Sequence, residues 1–254
     1  MTVRRLAPPL ALMAAILVAW EAYCRASGVS PIVLPAPSRI LEQLWTFRSE
    51  AWRHTVPTLI ETAVGLAVSI SVSIAAAVAM DRSTFVRGAV QPLLVASQTV
   101  PIVAIAPLLV LWFGFDLAPK VFIVVLVTFF PVTVALVDGF AGASAEATDL
   151  LRSLGATRSQ IFWKVRWPSA LPSLFTGLRI AVTYAVIGAV FGEYVGAYEG
   201  LGIWMQLSQN AFRVDLVFAA ILVTAVLSLV LFELVVIAER VTIPWYAASR
   251  RAGG

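Results

Sequence analysis

One cysteine, Cys24, and one histidine, His54, are all that this chain of 254 residues offers for metal or redox chemistry. Cys24 alone can form neither an intrachain disulfide nor a cysteine-based metal site, and one histidine cannot make an HExxH-type pair. No metal is expected, and His54 reads as an exposed residue of a polar connecting segment. Lysine is scarce too. Neither Lys120 nor Lys164 sits among the glycines and the Ser or Thr of a phosphate-binding loop, so the chain cannot hydrolyse ATP by that route. No serine lies in a nucleophile-elbow setting, and enzyme function is not expected. Charged residues make up only 13% against 60% apolar, with a mean hydropathy of +0.92. That balance lies outside the range of soluble domains and describes an integral membrane protein. The net charge of +4 needs no nucleic-acid partner.

What the chain does have is long apolar runs. Crossing about 30 Å of hydrocarbon takes roughly 18 to 25 apolar residues as a helix, and six runs meet that length: Leu6 to Tyr23, Pro57 to Met80, Val90 to Phe113, Pro119 to Phe140, Ala170 to Val195 and Leu216 to Glu239. The expected fold is an all-α membrane protein with six transmembrane helices. Pro101 and Pro107 interrupt the third run and Arg179 the fifth; proline is tolerated where neighbours or water satisfy the freed carbonyls. A cleaved signal peptide is the alternative reading of the first run, which is long for a signal core. With the N-terminus inside, the inner segments hold eleven Lys and Arg residues, among them Arg4, Arg5, Arg82, Arg87 and Arg250, and the outer segments hold six, including Lys120. The bias favours both termini in the cytoplasm. The outer segment Ser27 to Val56 holds three prolines and then Ile40 to Trp52, which reads either as an amphipathic helix along the surface or as a plain connector. No internal repeat, low-complexity tract or soluble domain is evident. The expected organisation is 1–56 for the first helix and outer loop, 57–245 for the membrane core, and 246–254 for a tail.

Between the fourth and fifth runs stands a charged island, Glu146 to Pro172, EATDLLRSLGATRSQIFWKVRWPSALP. Leu150, Leu151 and Leu154 repeat at helical spacing before Gly155, the residue most ready to take the left-handed turn that ends a helix. Thr157 followed by Gln160 fits a capping box that restarts a helix, and Pro168 is expected to stop it. This second helix carries Ile161, Phe162, Trp163 and Val165 among Arg158, Lys164 and Arg166, more apolar surface than a solvated connector needs. Either it docks on a partner or it is an amphipathic hairpin lying on the membrane.

The island resembles the cytoplasmic EAA loop of permease subunits from binding-protein-dependent ABC importers, expected here at 142–170. Counting from Gly155, the positions of Val165, Trp167 and Pro168 match that pattern, whereas Asp149 stands where it has glutamate and Glu146 with Ala147 is three residues out of register. VLPAPSRIL (33–41), TVPIVAIAPLLVLWFGFDLAPKV (99–121), FFPVTVALVDGF (129–140) and GEYVGAYEGLG (192–202) are similar to the branch that imports nitrate, taurine, alkanesulfonates, thiamine-precursor pyrimidines or riboflavin. The resemblance implies the type I importer architecture with a cytoplasmic coupling helix. It implies ATPase contacts through Asp149, Gly155, Ala156, Thr157, Gln160, Ile161, Phe162, Trp163 and Pro168. It also implies two copies of an ABC ATPase that binds ATP and Mg, a periplasmic or lipid-anchored substrate-binding protein, a second copy of this chain, and residence in a bacterial inner membrane. No cofactor is expected on this chain itself.

A translocation path needs polar groups at membrane depth. Pro101, Pro107 and Pro131 free the carbonyls of Ser97, Val103 and Val127. Ser97, Gln98 and Thr99 add side-chain polarity, and Phe129 and Phe130 add aromatic faces. The alternative is a set of kinked helices packed for shape. Each ionisable group inside a span costs about 2.5 to 3.5 kcal/mol near the helix centre. Glu193 is expected at an outer gate or the interface, Glu233 against another subunit, and Arg179 paired with Asp138. A carrier driven by an ion gradient is the rival mechanism, but it calls for inverted repeats that this sequence does not display. The low basicity of the path favours vitamin or pyrimidine-precursor cargo over taurine, sulfonate or nitrate.

Overall fold

The computed structural model describes residues 3–246, with the side chains of 3–6 left out; the rest of the tail, with Arg250 and Arg251, lies outside the described residues. Among them no strand occurs. The chain forms α1 (Val3–Ser27), α2 (Pro37–Thr46), α3 (Arg48–Arg82), α4 (Thr84–Ser97), α5 (Ile102–Phe113), α6 (Leu117–Ala141), α7 (Ala145–Ser153), α8 (Arg158–Ile161), a π-turn (Phe162–Arg166), α9 (Trp167–Val195), α10 (Leu201–Asn210) and α11 (Val214–Thr242). Five stretches are long and apolar enough to span a membrane: α1 from Ala7, α3, α6, Arg158–Val195 and α11.

The third apolar run passes the same test only as a pair of helices, a sixth span that is broken or a re-entrant loop. It divides into α4 and α5, bent by 100° at a short break. Proline explains the break: Pro101 lacks an N–H, biases Val100 toward extended backbone, and itself adopts φ −68, ψ 116 as the N-cap of α5. Pro107 stays inside α5 without breaking it.

The centre of the molecule is α6 clasped between α3 and α9. Small residues permit the approach. A Cβ on Gly177 of α9 would lie 2.9 Å from the Pro131 carbonyl oxygen and 2.7 Å from the Ala135 Cβ, so only glycine fits where α9 crosses α6. Ala77, Val132, Leu136, Phe140, Ala170 and Ala181 form the buried core between these three helices. A second core at the far end from the island joins Ile40 of α2 and Ala51 of α3 to Leu201 and Trp204 of α10 and Leu216 of α11. α2 is therefore a structural strut, shorter than the expected 40–52 segment. The chain bends at Phe47, and Trp52 already belongs to α3. Asp215 fixes this corner by accepting from Arg213 at 3.0 Å and Arg39 at 3.3 Å.

Candidate functional site: the charged hairpin, the cavity and the polar latch

The island folds as its residues dictate up to Gln160. Ser144 caps α7, its hydroxyl oxygen accepting from the Ala147 N–H at 3.0 Å. The same hydroxyl donates to Glu146 at 2.8 Å and holds that carboxyl below its ordinary range. Gly155 has φ +77. Its N–H donates to the Arg152 carbonyl at 2.9 Å and the Ala156 N–H to the Leu151 carbonyl at 2.9 Å, the paired bonds of a Schellman ending. The capping box then closes reciprocally: the Thr157 N–H donates to Gln160 Oε1 at 2.8 Å, and the Gln160 N–H to Thr157 Oγ1 at 3.3 Å.

Two expectations fail beyond that point. Pro168 does not end the helix. The Trp167 N–H reaches back five residues to the Phe162 carbonyl, and this wider turn admits Pro168 near the start of α9, so that Arg158–Val195 runs on as one helical stretch. Phe162 is not offered to a partner either. It is buried against Phe140 and Trp167, with ring centroids 5.6 and 6.2 Å away, and Arg82 lies over it at 5.8 Å. Ile161 is buried as well. The exposed apolar side chains of the hairpin are Leu150, Leu154 and Trp163, with Asp149 and Arg152 paired at 3.0 Å beside them. Ala156 is half-buried, while Thr157 and Gln160 are exposed.

A cavity of about 620 Å³ opens between the break after α4, α6 and α9. Ser97, Gln98 and Phe130 line it, together with Val127 and Pro131, whose missing bond frees the Val127 carbonyl. Thr99 and Phe129 are not among its lining residues; the Thr99 hydroxyl instead donates to the Ala96 carbonyl at 2.8 Å. Residues that sequence reasoning missed add hydroxyls here: Ser173, Thr176 and Tyr184 of α9, brought opposite α6 by the Gly177 crossing. The charged lining residue is Asp138. Arg179 does not pair with it. The arginine turns to α11 and donates to Glu239, which reaches it across the other face of α9. Glu233 is exposed on α11.

Glu193 lies away from this cavity, in a buried polar latch. It accepts from the Thr58 hydroxyl at 2.5 Å and the Gly202 N–H at 2.7 Å. The Thr58 oxygen accepts from the Leu201 N–H at 2.9 Å, and His54 Nδ1 from the Gly200 N–H at 3.0 Å. His54 is thus buried, stacked on Trp204, because the loop ending in Gly200 folds down over α3 and needs acceptors for its amides. Lys120 is likewise not a solvated outer cation: it is buried and bonds Glu61 at 2.8 Å. A Cβ on Gly200 would stand 2.2 Å from the Glu193 carboxyl carbon. The loop's glycines let its backbone reach the acid.

Comparison with known proteins adds a second line. Residues 67–242 match the family model described as binding-protein-dependent transport system inner membrane component. A probable ABC transporter permease protein of Haemophilus influenzae is 39% identical over 228 residues, covering 90% of this chain and 93% of that protein. The formylaminopyrimidine transport permease protein ThiX of Halalkalibacterium halodurans is 40% identical over 231 residues, covering 91% and 92%. In fold, the chain is similar to a crystal structure of an amino acid ABC transporter with histidines, at a TM-score of 0.64 and 14% identity over 78% of this chain and 96% of that one.

Proposed function

This chain belongs to the binding-protein-dependent transport system inner membrane components, and from that premise we propose how it couples and what it carries. It is a multi-pass membrane protein and the permease subunit of an ABC importer. The subunit is non-catalytic, its ATPase is a separate chain, and its cargo is delivered by a binding protein. Family membership decides against the ion-coupled carrier.

In the proposed assembly two copies of this chain face each other across the pathway, with two ATPase subunits, which bind ATP and Mg, below them. Both termini lie in the cytoplasm, on the side of the 142–170 hairpin, in keeping with the excess of arginine there. The hairpin enters a groove on the ATPase through Leu150, Leu154 and Trp163, with Asp149 beside them. Phe162 and the π-turn transmit that contact to α9. Because Arg158–Val195 is one continuous helical stretch, a push on the hairpin moves α9, and with it one wall of the cavity, as a rigid body. ATP and the loaded binding protein select the outward state, and hydrolysis returns it.

The proposed cargo is a neutral or weakly basic heterocycle of the vitamin or pyrimidine-precursor kind. The observation that supports this is the cavity: hydroxyls, freed backbone, the aromatic face of Phe130, and Asp138 as the charge. A sulfonate or nitrate ion would meet a carboxylate there with no lining cation to offset it, whereas a ring amine would find an acceptor. The test is uptake into proteoliposomes carrying this chain, its ATPase and its binding protein. Aminopyrimidine or riboflavin uptake is expected, reduced by Asp138→Asn; uptake of taurine or nitrate instead would overturn the cargo assignment.

A further inference from the structure

Five arginines gather at the island end of the molecule, where the ATPase-coupling reading gives them no role. Arg82, Arg152, Arg158 and Arg166 line a cavity of about 790 Å³ floored by Asp81. Arg87 lines a neighbouring one of about 400 Å³ that shares Asp81, Arg152 and Arg166 and adds Asp149. The two aspartates are already engaged, Asp81 with Arg166 at 2.5 Å and Asp149 with Arg152 at 3.0 Å. Arg82, Arg87 and Arg158 have no carboxylate partner among the described residues, and the buried Nε of Arg87 has no hydrogen-bond partner there either. Four arginines against one aspartate leave the larger cavity with an excess of positive charge, which an anion with several acceptor oxygens relieves.

Position decides what that anion is. Arg82 is the last residue of α3, Arg87 lies in the first turn of α4, and Arg166 adjoins α9, so the cavity lies at the ends of helices long and apolar enough to span a membrane. Between Arg82 and Arg87 stands Phe85, 84% exposed, an aromatic ring placed where an interface belt would have it. From this we infer that the cavity bounded by Arg82, Arg158 and Arg166 binds the phosphate headgroup of an anionic phospholipid from the same leaflet. The headgroup engages Arg82 and Arg158, the glycerol and upper acyl chain lie along Phe85, and Arg87 adds long-range attraction. Bound there, the lipid joins the end of α3 to the coupling hairpin.

The experiment uses the full-length chain in nanodiscs of phosphatidylcholine with or without phosphatidylglycerol, and reads lipid retention by native mass spectrometry alongside the melting temperature. The wild type is expected to retain phosphatidylglycerol over phosphatidylcholine and to melt several degrees higher with it present. The double substitution Arg82→Gln with Arg158→Gln is expected to lower that preference about ten-fold or more, with unchanged helix content in phosphatidylcholine. Should the double variant misfold, Arg158→Gln alone, at an exposed side chain, is expected to reduce retention in the same direction. Equal retention of both lipids by the wild type, or an unaltered preference in the variants, overturns the inference. Two controls assign the site to another occupant and overturn it equally: stabilisation reproduced by inorganic phosphate in phosphatidylcholine, or displacement of bound lipid when the ATPase subunit is added.

Discussion

At the scale of single residues, the latch shows how a membrane interior handles charge. Lys120 and Glu61 are both buried and bonded to each other at 2.8 Å, while Glu193, also buried, takes its hydrogen bonds from Thr58 and Gly202. Removing one member of a buried pair leaves the other unpaired, which costs about 3–5 kcal/mol. Lys120→Met is therefore expected to lower the melting temperature of the purified protein markedly, and a second change, Glu61→Leu, to restore much of it. A K120M protein as stable as the wild type would show that the pair holds nothing together. The sequence marked Glu193 as an acid in an apolar run and Lys120 as an outer cation, and it could not pair either. Thr58 and Glu193 are 135 positions apart, and His54 is buried beneath the loop ending in Gly200 and against Trp204 of α10. For the same reason Arg179 could be assigned to Asp138 on sequence, when Glu239 of α11 reaches it instead.

Elements were far more legible than pairs, because their signals are local. The Schellman ending at Gly155 and the capping box at Thr157 are written in consecutive residues and fold as those residues require. The π-turn is not, since nothing in FWKVR itself asks for a five-residue hydrogen bond; it follows from burying Phe162 against Phe140 while the helix continues through Pro168. The break between α4 and α5 lies between these cases: Pro101 signalled it, but the 100° bend depends on packing. Two substitutions test the hairpin as an element. At Gly155 the φ of +77 is the obstacle, with no atom within 4 Å of an added Cβ, so Gly155→Ala should cost about 1–2 kcal/mol of left-handed strain. Thr157→Ala should cost about 0.5–2 kcal/mol through the lost cap. Both are expected to speed amide hydrogen exchange over 150–162 while leaving α6 and the body of α9 protected; exchange that rises equally throughout the molecule would place the hairpin's stability elsewhere.

For the whole molecule, the question is which surfaces belong to the fold and which to the assembly, and Phe162 and Trp163 separate the two. They are adjacent, both aromatic, and their rings touch at 5.3 Å, but Phe162 is 7% exposed and Trp163 59%. Phe162 fills the core that α6 and α9 share, so Phe162→Ala is expected to cost about 3–5 kcal/mol and to reduce the amount of folded protein. Trp163→Ala removes a side chain that already faces outward, so the isolated permease should keep its melting temperature within a degree or two of the wild type. If the hairpin seats in an ATPase groove, the tryptophan gives up about 1.5–3 kcal/mol of burial in the complex, a loss of roughly ten- to hundred-fold in affinity at 1.4 kcal/mol per decade. Leu154→Ala should act in the same direction, and the two together should abolish copurification of the ATPase while transport-competent folding, read as cavity accessibility to a cysteine reagent placed at Ser173, is retained. A Trp163→Ala permease that binds its ATPase as tightly as the wild type would move the contact off this face. The Asp149 edge of α7, charged and exposed beside Leu150, would then be the next candidate.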